Sequence, residues 1–174
     1  MKRLIFIISA GAVLLCVCFC IFYSKTDAAA AYSLAITFGT IAYHFLMRLI
    51  IGLVIGLIMD NRADYTKKWY QCREWEKRLY KRIHIKKWKQ TMPTYEPDYF
   101  DPRKHSWTEI AQAMCQAEVV HEVIIVFSFV PVVFSAWFGA VPVFVITSVL
   151  AAAFDLIFVM MQRYNRSRIV KLIQ

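Results

Sequence analysis

The chain has 174 residues, 59% of them hydrophobic and only 19% charged, with 13 Phe, 9 Tyr and 5 Trp. This composition excludes an ordinary soluble domain and places the chain among membrane proteins. The formal net charge of +9 lies mostly outside the apolar runs, so it bears on orientation and surface rather than on the core.

Four apolar stretches follow in chain order. The first, residues 4 to 23, reads LIFIISAGAVLLCVCFCIFY. Lys2 and Arg3 before it and the small residues at 27 to 31 would also fit a cleaved signal peptide, but the run exceeds a typical h-region and a retained helix is expected. The second covers 32 to 59, the third 117 to 137 and the fourth 140 to 161. Each is near or above the roughly 20 residues that cross about 30 Å of hydrocarbon as a helix. The expected fold is therefore all-α, a single polytopic membrane domain over 1 to 174 with four transmembrane helices.

Charge placement gives the orientation. Residues 60 to 116 hold 13 of the 21 Lys and Arg residues; Lys2 and Arg3 precede the first run, and Arg163, Arg166, Arg168 and Lys171 follow the fourth. The two remaining connections hold a single Lys. Positive charge stays inside, which predicts both termini and the 60 to 116 segment in the cytoplasm, with a bacterial plasma membrane as the setting. Cys16, Cys18, Cys20, Cys72 and Cys115 form no metal pattern and read as small lipid-facing or packing residues, and Cys72 and Cys115, in or beside a reducing cytoplasm, are not expected to form disulfides.

Between the second and third runs, residues 60 to 92 interleave Trp69, Tyr70, Trp75, Leu79, Tyr80, Ile83 and Trp88 with Lys and Arg. The spacing predicts a basic amphipathic helix that lies on an anionic membrane surface through residues 67 to 89. A solvated basic face would explain the charge but not the aromatics. Aromatic and basic residues together can also bind nucleic acid, but four membrane spans around them make that a poor fit, and no nucleic-acid partner is expected. Pro93, Pro97 and Pro102 then predict an irregular loop, where Asp98 and Asp101 offer carboxylates without a calcium-loop pattern. Thr108 and Glu109 are expected to start a helix that runs unbroken into the third span.

That span opens with AEVVHE. Glu118 stands three residues before His121 and four before Glu122, so the trio shares one helical face within about two turns of the cytoplasmic boundary. Ionisable groups at this depth are costly and are functional candidates by default. His44 and Arg48 share a face of the second span, and Asp155 and Gln162 share one of the fourth. Arg48 or Arg163 can pair with Glu118, Glu122 or Asp155. The bland readings are lipid anchoring by Arg163, Arg166 and Arg168, an Asp155–Arg48 packing pair, and a hydrogen-bonded core His44.

A carboxylate beside an imidazole suits acyl transfer: the histidine takes a proton from an attacking hydroxyl while Arg or Asn stabilises the oxyanion. A Glu-x-x-His pair also occurs in di-iron bundles, but those need two such motifs and only one is present, so no metal is assigned. The rival readings are a metal enzyme using Glu118, His121, Glu122 and His44 and a non-catalytic lipid-binding or assembly protein.

Three motifs together, IKKWKQTMP, AEVVHE and QRYNRSR, resemble the glycosyl-4,4'-diaponeurosporenoate acyltransferase family of bacterial membrane enzymes over roughly residues 70 to 174. The family attaches a fatty acyl group to a sugar hydroxyl of a carotenoid glycolipid. The resemblance implies a catalytic Glu118 and His121, with His121 the base and Glu118 orienting it. Trp88 and Lys89 would dock a headgroup. The final motif falls on Gln162, Arg163, Tyr164, Asn165 and Arg166, with Arg163 and Asn165 holding the donor's phosphate or the oxyanion. Arg48, His44, Glu122 and Asp155 complete the expected substrate site. Glu122 stands where the family has an aromatic, and Ser167 where it often has Pro. No cofactor is expected beyond an acyl-CoA or acyl-carrier protein donor, and the partners are lipid substrates, with oligomeric state left open.

Overall fold

The computed structural model describes residues 2–88 and 97–173. The protein is all-helical, 85% helix with no strand among the described residues. Its helices in chain order are α1 (Lys2–Thr26), α2 (Ala29–Met59), α3 (Glu74–Arg82), α4 (Ile85–Trp88), α5 (Trp107–Phe127), α6 (Val130–Phe138) and α7 (Val141–Ile173). Two 3-10 turns, Lys68–Tyr70 and Pro97–Phe100, stand between them. Among the described residues, four stretches are long and apolar enough to cross a membrane: α1, α2, α5 with α6, and α7.

The helix that leads into the third span begins at Trp107, beside the Thr108 and Glu109 start that the sequence predicts, because Ser106 and Glu109 form a capping box. The Ser106 backbone N–H donates to Glu109 Oε2 at 2.7 Å, and the Glu109 N–H donates back to Ser106 Oγ at 3.3 Å. The helix runs unbroken into the apolar stretch, as expected, then stops after Phe127, and a new helix starts at Val130, where Pro131 occupies the first turn and has no N–H to donate. The fourth helix, by contrast, continues past the membrane exit to Ile173. Ser167 keeps its backbone donor there and sends its hydroxyl to Tyr164 O at 2.7 Å.

Over residues 60 to 88, the described part of the single amphipathic helix expected over 60 to 92, the chain is instead a turn followed by short helical pieces. Asp60, Asn61 and His84 have positive φ, which ends regular helix at each place. Asp64 accepts from the Thr66 N–H and hydroxyl, closing a local turn that competes with helix. In the following loop Asp98 pairs with Lys104 and Asp101 with Arg103. The hydrogen bonds from the Arg103 side chain and backbone N–H hold the Asp101 carboxyl down at about 2.

The fold comprises two compact units, one of residues 1–50 and 126–152, the other of 51–125 and 153–174. In the first, α1 packs on α2: Phe19 and Phe38 stack at 5.7 Å, and Gly39 lets Cys16 approach where a Cβ would meet its Sγ at 3.3 Å. Tyr43 donates to Phe127 O at 2.8 Å. An apolar cavity of about 410 Å³ lies among Cys16, Tyr23, Gly39, Tyr43, Pro131 and Phe144. The second unit centres on Tyr80, Ile85 and Met161, with Cys72, Trp88, Phe158 and Tyr164 packed around them. Each fully buried side chain of this kind contributes roughly 2 kcal/mol from removal of apolar surface from water. That cluster fixes α3 and α4 against α7, which is the frame of the site.

Candidate active site

Glu118 on α5 is completely buried. An isolated carboxylate there would be untenable, and two guanidiniums from α7 meet it: Arg163 Nε lies 2.6 Å from Oε1 and Arg166 Nη1 lies 2.5 Å from Oε2. Arg163 spends its remaining donors on the 68 to 76 segment and on α5. Its Nη1 reaches Glu76 Oε1 at 2.9 Å, and its Nη2 reaches Trp69 O at 3.1 Å and Glu122 Oε1 at 3.4 Å. Arg166 donates through Nε and Nη2 to Tyr70 O, and its guanidinium covers the Tyr70 ring at 5.2 Å. The Trp69 indole N–H completes the ring of contacts at Glu122 Oε2, 3.1 Å away.

Glu76 comes from α3. Its carboxylate accepts the Arg73 N–H at 2.6 Å and the Tyr80 hydroxyl at 3.4 Å. Burial first, and then that carboxylate, pushes the Tyr80 hydroxyl above the usual tyrosine range, so Tyr80 remains a neutral donor. Three carboxylates against two guanidiniums leave the cluster one negative charge in excess when all are ionised. The site is therefore a rigid, charge-assisted latch joining α3, α5 and α7.

His121 faces a different partner. Its Nδ1 lies 2.8 Å from Asp155 Oδ1 on α7, and its ring stacks on Phe158 at 4.7 Å with the planes 9° apart. The Asp155 side chain is 2% exposed and that of His121 22%. A carboxylate at Nδ1 favours the tautomer that donates to it, which leaves the lone pair on Nε2. Phe158 holds the ring plane while the carboxylate sets its tautomer. On α7, Asp155, Phe158, Gln162 and Asn165 recur at spacings of three and four and so form one stripe.

Sequence reasoning expected Glu118 to orient His121; the contact at Nδ1 belongs to Asp155, and both Glu118 oxygens meet arginines. Arg163 does pair with Glu118 and Glu122, as the charge pattern suggests. Tyr164 packs edge-on against Tyr80 at 6.3 Å, with Arg168 over its outer face at 5.9 Å. Gln162 and Asn165 are half-buried. Trp88 is also half-buried, within the apolar cluster around Tyr80, and Lys89 lies outside the described residues. His44 and Arg48 belong to the first unit, where Arg48 Nη1 donates to His44 O at 2.8 Å and Nη2 to Ala151 O at 3.5 Å.

Glu76, Trp69 and Tyr70 are the members that sequence reasoning missed. A signal for Glu76 exists: Cys72, Glu76, Tyr80 and Ile83 recur at helical spacing, so a carboxylate sits on the stripe that an amphipathic helix turns inward. Among the described residues, no three His, Cys, Asp or Glu side chains are arranged to hold a metal ion.

A family model described as glycosyl-4,4'-diaponeurosporenoate acyltransferase matches residues 66–174. The chain belongs to this family. Membership implies a membrane acyltransferase, and the matched region contains every member of the ion-pair cluster together with His121, Asp155 and Phe158. No curated protein and no solved structure matches the chain.

Proposed function

We propose that the protein transfers a fatty acyl group from a thioester donor to a hydroxyl of a glycolipid, at the cytoplasmic face of the plasma membrane. The glycosylated carotenoid in the family's name is the acceptor class that membership favours. Acyl-CoA or acyl-carrier protein is the donor, approaching from the side where Lys and Arg concentrate.

The Asp155–His121–Phe158 arrangement carries this reading. His121 Nε2 takes the proton of the acceptor hydroxyl as its oxygen attacks the thioester carbonyl. The tetrahedral intermediate then breaks its C–S bond, and the departing thiolate recovers the proton from the imidazolium, so ester and thiol are the products. Asp155 is a positioning residue that also stabilises the transient imidazolium. Gln162, one turn along the stripe from Phe158, is the amide donor suited to the oxyanion, and Asn165 lies where the donor's polar part would follow. Arg163 and Arg166 are committed to carboxylates and backbone carbonyls, so their role is to hold α3 and α5 against α7 rather than to bind phosphate.

Lipid mass spectrometry tests this directly in cells supplied with a glycosylated carotenoid. A lipid heavier by one acyl group is expected with wild type and absent with His121→Ala at matched membrane abundance. The same acylated lipid at undiminished yield from His121→Ala would reject the proposal.

A further inference from the structure

We infer that α3 is an interfacial helix, docked on an anionic lipid surface through Trp75 and Leu79 with Arg78 and Arg82 beside them, and that its depth is set by the Glu76–Arg163 contact. Three observations carry this. The first is depth. The apolar run of α7 ends at Met161, so Arg163 is the first charged residue as the helix leaves the hydrocarbon. Glu76 on α3 lies 2.9 Å from Arg163, and the carbonyl of Trp69 lies 3.1 Å from it. The start of α3 is thereby pinned at the level where Arg163 meets the boundary.

The second is which flank α3 leaves uncovered. Glu76 and Tyr80 face the protein and are buried. Trp75 and Leu79, one turn apart on the adjoining flank, are 56% and 40% exposed, and Trp69 just before the helix is 63% exposed. In water these large apolar groups would remain uncovered. At the headgroup boundary an indole and a leucine are stabilised there, and Trp is enriched at that depth for this reason.

Charge is the third observation. Arg78 and Arg82 are exposed and follow Trp75 and Leu79 around the same side at helical spacing, so they meet lipid phosphates when the apolar pair enters the boundary. Continuity with the spanning helices and this positive charge favour a lipid surface over an acidic protein. The placement holds whatever chemistry His121 performs.

The test uses the full chain in nanodiscs of anionic phospholipid, with Trp69, Trp88, Trp107 and Trp137 changed to Phe so that Trp75 alone reports. Trp75 emission is expected to be blue-shifted, lost with lipids brominated near the carbonyl end of the acyl chain, and little affected by aqueous iodide. Emission quenched by iodide and indifferent to brominated lipid would overturn the inference, as would protection from iodide that appears only on adding an acidic acyl-carrier protein. If the single-tryptophan protein does not fold, the difference between wild type and Trp75→Phe under the same quenchers gives the same reading. A second arm replaces Arg78 and Arg82 with Gln. Loss of the dependence on anionic lipid is expected, and an unchanged dependence would contradict the charge contribution.

Discussion

Asp155 Oδ1 and His121 Nδ1 lie 2.8 Å apart, joining α7 to α5. A carboxylate at this nitrogen both orients the ring and leaves Nε2 as the basic atom, which is the property a transfer reaction needs.

Asp155→Asn should therefore lower kcat by about 10²-fold or more, because the amide cannot stabilise the imidazolium and can favour the wrong tautomer. Steady-state transfer across pH checks this. A positioning role predicts a displaced pH profile with little change in acceptor KM, whereas a purely structural role predicts lost protein and an unmoved profile for the remainder.

Removing Glu118 is a stability matter. Glu118→Ala takes a carboxylate from Arg163 and from Arg166, the latter 1% exposed, and should cost about 3–5 kcal/mol. Thermal unfolding in a mild detergent would register a large drop in Tm. Replacing Arg166 by Met in the same chain should return part of it, since one buried charge is then removed with its partner.

Glu76→Ala should loosen α3 while the spans remain in place. The carboxylate accepts from Arg73, Tyr80 and Arg163, and losing such contacts costs about 1–3 kcal/mol. Limited proteolysis is the readout: cleavage within residues 68 to 82 should accelerate, with α5 and α7 still protected.

Tyr80 gives a pH dependence with a definite sign. Its folded pKa is raised above the unfolded value near 10, so the stability it contributes is fully present below that value and is lost as pH rises toward the higher folded one. Between about pH 9 and about pH 11, wild type should lose more thermal stability than Tyr80→Phe.

The spans were legible because an apolar run long enough to cross a bilayer has few alternatives. Their ends were less so. Thr108 and Glu109 marked the start of α5 to within a residue, whereas the break between Phe127 and Val130, with Pro131 in the next first turn, lies inside a stretch that hydropathy treats as continuous. The site was half legible for a similar reason. Helical spacing places Glu118 and His121 on one face, but it says nothing of which side chain on α7 meets each. That choice depends on the angular positions of Asp155, Arg163 and Arg166 along a helix whose continuation to Ile173 the apolar run does not announce. Glu76 was harder still, because α3 is short and its inward stripe is masked by the Lys and Arg residues around it.

The most direct measurement is chemical rescue. Acyl transfer to a glycosylated carotenoid acceptor is followed for purified wild type and His121→Gly in nanodiscs, each with and without added imidazole. The account predicts that His121→Gly is severely impaired and that imidazole restores part of its rate while leaving wild type unchanged. Transfer by His121→Gly at the wild-type rate would contradict it.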